Sequence, residues 1–338
     1  MPAIALVGCL AIGAVAAPEA SGAALASAAV RTASWRSAAP VDAAGSSAGS
    51  SAAPAPCAPG VDTYNRTQLC WRVTATVAVL RGAKRVGTVT FDLTHDIRLN
   101  PRGRDFAERI TISSVHATGS AAGMSMTLHA SCARPCSAAD RFPRGAVIAN
   151  GLTGVVDYSD AVSAGHADSA RTVYQLSFVK PGDRSTGFAY DTPIAYRCDD
   201  ALPGVPAGCV FPAYRPYLTM LTSLPTVGYD VYQAEGDPGH YGQPGDGHPL
   251  HRMTSAAAQA ANYAAVCARS VVGRPPRSGD ACDEYPFRST REGGKGVSKA
   301  NRRADWVPAA EEKTKNALIT SFYNANRVLN GDAFWVLV

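Results

Sequence analysis

"CWRVTATVAVLRGAKRVGTVTFDL", residues 70–93, alternates apolar and polar side chains on either side of a basic break at Gly82. A period of two sends successive side chains to opposite faces of an extended strand, and β-branched Val and Thr fit that pleated surface. The stretch reads as two half-buried strands joined by the hairpin turn "LRGAKRVG" (80–87). Working outward, the same pattern returns in "ERITISSVHA" (108–117), "GMSMTLHASC" (123–132) and "TVYQLSFV" (172–179). "PGDRSTG" (181–187) and "CDDALPGVPAGC" (198–209) are turn material. No helical periodicity comes between these runs, so an antiparallel β-sandwich or barrel is expected over 60–225, the sandwich being the reading preferred. His95, His116, His129 and His166 are scattered through it and form no catalytic constellation.

The chain of 338 residues is 46% hydrophobic and only 17% charged, a balance that allows two folded domains with their own cores. Its first residues, "MPAIALVGCLAIGAVAAPEA" (1–20), are apolar but broken by Pro18 and Glu19, too short for a stable membrane span. They read as a signal peptide over 1–16, cut after Ala16, with Ala26 as the second choice. "LVGC" (6–9) also resembles a lipoprotein box that would anchor the chain at Cys9, yet the apolar run continues past it. Residues 17–59 are runs of Ala, Ser, Gly and Pro and are expected to form a disordered linker. The mature protein is expected to be secreted and extracellular.

Apart from Cys9, the cysteines are Cys57, Cys70, Cys132, Cys136, Cys198, Cys209, Cys267 and Cys282. An even set in an exported chain favours disulfides. The shortest loops pair 57 with 70, 132 with 136, 198 with 209 and 267 with 282; spacing alone leaves other connectivities open. A zinc site on "CARPC" (132–136) lacks a second Cys/His pair of matching spacing.

Residues 226–338 change character. "GHYGQPGDGHPLHRM" (239–253) is a Gly/Pro/His loop, and "TSAAAQAANYAAVCA" (254–268) an Ala-rich helix with Thr254 or Ser255 as N-cap. "WVPAAEEKTKNALITSFYNANRVLNG" (306–331) reads as a helix with Pro308 in its first turn and Asn330-Gly331 at its end. Leu318, Ile319, Phe322 and Leu329 supply its buried stripe, and "DAFWVLV" (332–338) closes as a buried strand. The fold class expected is α+β multidomain, with a small α+β domain after the sandwich.

Between His251 and Arg303 stand ten Lys or Arg against four Asp or Glu, an excess of six where the whole chain carries +5. The basic character is thus concentrated here, as a phosphate-backbone surface requires. Within it lies "CDEYPFRSTREGGKG" (282–296), where Asp283, Glu284 and Glu292 flank a glycine loop bearing Lys295. Phosphodiester hydrolysis needs an activated water, positive charge on the phosphoryl oxygens and help for the leaving oxygen. Carboxylates are ligands for Mg²⁺, Mn²⁺ or Ca²⁺ and can accept a proton from water. Glycine-loop amides and an ammonium can approach a phosphate closely.

"CDEYPF" followed by "EGG", with "HPLHRM" upstream and "VPAAE…SFY…NRVLNGDAFWV" downstream, resembles the secreted bacterial NucA/NucB deoxyribonucleases over about 245–338. The resemblance implies a compact nuclease related to the ββα-metal group, cutting DNA endonucleolytically with a divalent ion. It implies Asp283 as general base, with Glu284 as the alternative ligand, and Glu292 at or near the metal. Arg252, Arg291 and Lys295 would clamp phosphates. The pattern departs from the family at Glu312, which stands where an Asn is expected, at Lys315 and Asn316, where a small pair is expected, and at Arg288, also a place for a small residue. An ionised Glu cannot donate the hydrogen bond an Asn amide would, so Glu312 is expected either to add a metal ligand or to weaken activity. His248 and His251 lie in the loop nearby, with His251 a further candidate phosphate contact or structural residue. The competing expectation is a non-catalytic, disulfide-stapled extracellular protein that binds anionic polymers through 251–303.

Overall fold

The computed structural model describes residues 62–182, 185–236, 241–245 and 247–338, together with Cys57 and the backbone of Ala26–Ala29. The expected signal peptide lies outside the described residues, as does the rest of the expected linker. Inside that linker stretch, Ala26–Ala29 pairs antiparallel with the strand Gln68–Arg81.

The two strands read from 70–93 form a long hairpin, Gln68–Arg81 with Lys84–Arg98, and Gly82 takes a φ of 58° at its turn. Asp105–Gly119, Thr153–Asp160 and Cys136–Asp140 extend this sheet in that order, every pairing antiparallel. A second sheet runs Thr186–Asp191, Thr172–Val179, Ser125–Cys132, Ala146–Val147. Alternation along the strands decides what is buried: Val73, Ala75, Val77 and Val79 from the first sheet and Tyr174, Leu176 and Phe178 from the second enter one core. Phe91 meets Phe178 edge-on at 6.1 Å between ring centres. Each large apolar side chain so buried contributes about 1.5–3 kcal/mol.

One carboxylate sits inside this core. Glu108 accepts hydrogen bonds from the hydroxyls of Tyr158 (2.6 Å) and Tyr174 (2.9 Å), and its Oε1 lies 2.6 Å from Nδ1 of His95. His95 is fully buried and stacks on Trp71 at 4.4 Å. It is a strand residue, and a structural one.

A second core begins at Leu218, Leu221 and Leu224, upstream of the expected boundary near 225, and includes Val227, Val231, Leu250, Tyr285, Phe287, Val307, Ile319, Phe322 and Phe334. Among the described residues four α-helices serve this part: α1 (Pro225–Glu235), α2 (Ala256–Cys267), α3 (Arg269–Val272) and α4 (Ala309–Ala325). Helix α1 was not expected from the sequence. Pro225 opens it, and Glu311 of α4 reaches across to accept from the amides of Thr226 (2.9 Å) and Val227 (3.2 Å), satisfying donors that a helix start leaves open. Ser255 caps α2, its hydroxyl accepting from the Ala258 amide. Helix α4 stops five residues earlier than expected. Asn326 caps it, and Arg327 takes a left-handed φ of 47° that turns the chain away.

The strands Asp280–Tyr285 and Arg303–Pro308 form an antiparallel pair that leads straight into α4, and α2 packs on the same strand through the Cys267–Cys282 disulfide. The final strand, Ala333–Val336, lies buried between Tyr217–Leu218 and Leu250–His251. All four disulfides, 57–70, 132–136, 198–209 and 267–282, join the pairs with the shortest loops.

Candidate active site

The hairpin and α4 bring three carboxylates together. Asp283 and Glu284 end the first hairpin strand, and Glu312 stands in the first turn of α4. An unbroken strand would send Asp283 and Glu284 to opposite faces. Both acids lie inside the paired strand, Asp283 opposite Asp305 and Glu284 opposite Ala304, and Lys315 of α4 nevertheless lies near both. Its ammonium donates to Asp283 and lies 2.7 Å from Glu312 and 3.9 Å from Glu284. Glu312 and Lys315 are three apart on the helix and so share a face.

A second cation closes the group. The Arg288 side chain donates from Nε to Glu284 (2.8 Å) and from Nη2 to Glu312 (2.5 Å), and the Arg288 amide also donates to Glu284. Its guanidinium lies over the Tyr263 ring of α2 at 4.1 Å. Asn316 donates its amide to Glu312 at 2.8 Å. Lys315 is fully buried and Asp283 and Glu284 are 2% exposed, whereas the Arg288 side chain is 27% exposed and is the rim of the cluster. Burial pushes the Asp283 carboxyl up to about 7 against the pull of Lys315. Burial would depress the Lys315 ammonium, but Glu284, Asp283 and Glu312 around it hold it above its ordinary value, so it stays charged.

The other expected site residues lie apart from this group. Glu292 spends both oxygens on His251, accepting from its amide at 2.8 Å and facing Nδ1 at 2.7 Å. Arg252 donates to the Val328 carbonyl and lies over the Tyr323 ring at 4.5 Å. Arg291 and Lys295 are exposed. Two glycines of the loop are closely packed. A Cβ on Gly293 would meet the Phe287 carbonyl at 2.4 Å, and one on Gly294 would meet the Asn262 backbone at 2.5 Å. These glycines dock the loop on α2. A groove of about 740 Å³ lined by Arg102, Pro206, Asn316, Thr320 and Asn324 runs between α4 and the β-rich part, and none of the three acids lines it.

A divalent ion needs several oxygens pointed into one ion-sized space. Among the described residues, the one group of three His, Cys, Asp or Glu ligand atoms within 4.8 Å of each other is Cys57, Cys70 and Asp96, and those sulfurs form a disulfide. Around Asp283, Glu284 and Glu312 the space is taken by Lys315 and Arg288. The arrangement does not fit a metal ion.

Lys315 and Arg288 thus hold the acids, although neither was among the residues expected to serve as ligands. The usable signals were the spacing of Glu312 to Lys315 and of Glu284 to Arg288, three and four residues respectively.

Residues 244–337 match the family model Deoxyribonuclease NucA/NucB. No curated protein and no solved structure matches the chain. The match falls on the C-terminal part, the segment whose motifs resemble that family.

Proposed function

We propose that the protein is an exported deoxyribonuclease that hydrolyses DNA phosphodiester bonds with its C-terminal domain. The observation that carries this reading is the family match over 244–337, the segment that holds the acid cluster and the exposed bases. The order strand, strand, helix supports a relation to the ββα-metal group. Four disulfides support export, since they persist in oxidising compartments.

In-line attack by water needs a proton acceptor and positive charge on the phosphoryl oxygens. Asp283 is the proposed base, with Glu284 as the alternative. Arg288, at the rim, is placed to exchange a carboxylate for a phosphate oxygen, and Lys315 lies behind it. Arg291 and Lys295 would hold neighbouring phosphates; Arg252 is already committed to Val328 and Tyr323. No step is assigned to a divalent ion. A metal role for Glu312 would require it to release Arg288 and Lys315, and one for Glu292 would require it to release His251.

The test uses the full chain on supercoiled plasmid, with Mg²⁺, Mn²⁺ or Ca²⁺ and with EDTA. Wild type is expected to nick the plasmid and Asp283→Asn to lose that activity. Cutting that survives the substitution rejects Asp283 as base. Absence of cutting under every condition rejects the hydrolase and leaves the second reading, a non-catalytic binder of anionic polymers through 251–303. That reading is favoured by one observation: each acid of the cluster already has a cation of the chain beside it.

A further inference from the structure

Three carboxylates and two cations share one buried place, and the deepest member is a lysine. Lys315 Nζ reaches Asp283 and Glu312 directly and Glu284 at 3.9 Å. Its ammonium lies 5.9 Å from the centre of the Phe287 ring, beneath the hairpin. Glu312 Oε2 is buried and accepts no hydrogen bond, so its compensation is the charge of Lys315 at 2.7 Å. A lone ammonium in the interior would be strongly disfavoured without such partners, and three acids without a central cation would repel each other. The two sets of charges need one another.

We propose that Lys315 is the resident cation of this domain, filling the space between Asp283, Glu284 and Glu312, and that the cluster takes up no divalent ion while Lys315 is present. The inference rests on the NucA/NucB reading only for its contrast with a metal-holding nuclease; the charge geometry stands without it. The chain then carries its counter-ion covalently. Its central charge is +1 instead of +2, and chelators cannot remove it. The Arg288 guanidinium supplies the second positive charge and is the one part of the pair that reaches solvent.

The experiment reads metal binding and leaves DNA aside, so its outcome is separable from that of the plasmid assay. Mn²⁺ is titrated into the full, disulfide-intact chain by calorimetry, with free Mn²⁺ followed by electron paramagnetic resonance and melting followed with and without EDTA. Wild type is expected to show no stoichiometric Mn²⁺ and a melting temperature that neither Mn²⁺ nor EDTA moves. Lys315→Ala exposes three acids to one vacated space and is expected to bind one Mn²⁺, with a melting temperature that rises saturably as the ion is added. Lys315→Arg, which keeps a cation there, is expected to remain blind to Mn²⁺. One Mn²⁺ bound by wild type and lost in Asp283→Asn would overturn the proposal. So would a folded Lys315→Ala chain that fails to bind the ion. If Lys315→Ala does not fold, the wild-type titration and Lys315→Arg still decide.

Discussion

Two buried ionic networks in this molecule are near mirror images in charge, and they are solved differently. The acid cluster of the C-terminal domain sets three carboxylates against Lys315 and Arg288. The junction between the β-rich part and the C-terminal domain sets three arginines, Arg66, Arg197 and Arg327, against Asp199 and Asp332. At the junction the surplus positive charge is absorbed by fixed main-chain carbonyls. Arg327 donates to Pro101 (2.9 Å) and Pro206 (2.7 Å), Arg66 to Asn326 (2.6 Å) and Tyr214 (3.0 Å), and Arg197 to Arg327 (2.6 Å). Carbonyls are always present and never leave, so the junction is a closed structural lock. Among the described residues, the acid cluster has fewer fixed donors for its surplus negative charge, the Arg288 amide to Glu284 and the Asn316 amide to Glu312. Its balance depends on Arg288, which is part-exposed and could exchange partners. The difference separates a network that only holds the chain from one able to act on a ligand.

The largest expected effect would break the lock. Arg327 and Asp199 are both fully buried, so Arg327→Ala removes the nearer cation of a buried carboxylate and leaves it Arg197 at 3.5 Å. Removing one partner of such a pair costs about 3–5 kcal/mol. Chemical denaturation of the variant should show that loss. It should also separate the unfolding of the two cores into two transitions, because Arg327 is the C-terminal domain's deepest anchor in the β-rich part. A loss below about 1 kcal/mol, the range of an ordinary exposed ion pair, would show that the junction is not the lock described.

Arg288→Ala sharpens the contrast from the other side. Glu284 keeps Lys315 at 3.9 Å, and water can reach the rim that Arg288 vacates. The expected cost is about 1–3 kcal/mol, the range for an acceptor left unsatisfied, and smaller than for Arg327→Ala. Equality of the two losses would mean that the cluster is as closed as the junction, and would count against a role for Arg288 at a phosphate.

Much of this architecture was legible in the sequence where local rules suffice. The period of two at 70–93 placed both long strands, Ser255 was readable as a cap, and the shortest cysteine loops were the ones closed. Helix α1 was hidden because "PTVGYDVYQAE" carries Gly228, β-branched residues and two tyrosines, all weak helix formers. It forms because Val227, Val231 and Ala234 enter the second core and Glu311 caps its start, facts of tertiary structure. The end of α4 was misplaced for a similar reason: Arg327 leaves the helix to reach Asp199, a partner 128 residues away. At the site, Glu312 and Lys315 were visible as departures from the family pattern. Their meeting with Asp283 and Glu284 depends on how the hairpin lies against α4, and no spacing along one element encodes that.

The smallest expected effect on stability carries the most direct test of the outer surface. Arg291 and Lys295 are exposed in the loop that Gly293 and Gly294 pin to α2. Changing both to Ala should leave stability within about 0.5 kcal/mol per site, as for surface positions without special interactions. If both neutralise DNA phosphates, each phosphate left without its cation lowers the slope of log affinity against log salt by about 0.9. Fluorescence anisotropy with a duplex oligonucleotide across a salt series should therefore show a slope reduced by about 1.8 in the double variant. An unchanged slope would remove this loop from the DNA interface and leave Arg288 as the cluster's own link to the backbone. A reduced slope with unchanged folding would separate the outer, binding charges from the inner, balanced ones, since Lys315 cannot be reached by solvent and cannot contribute to the same salt dependence.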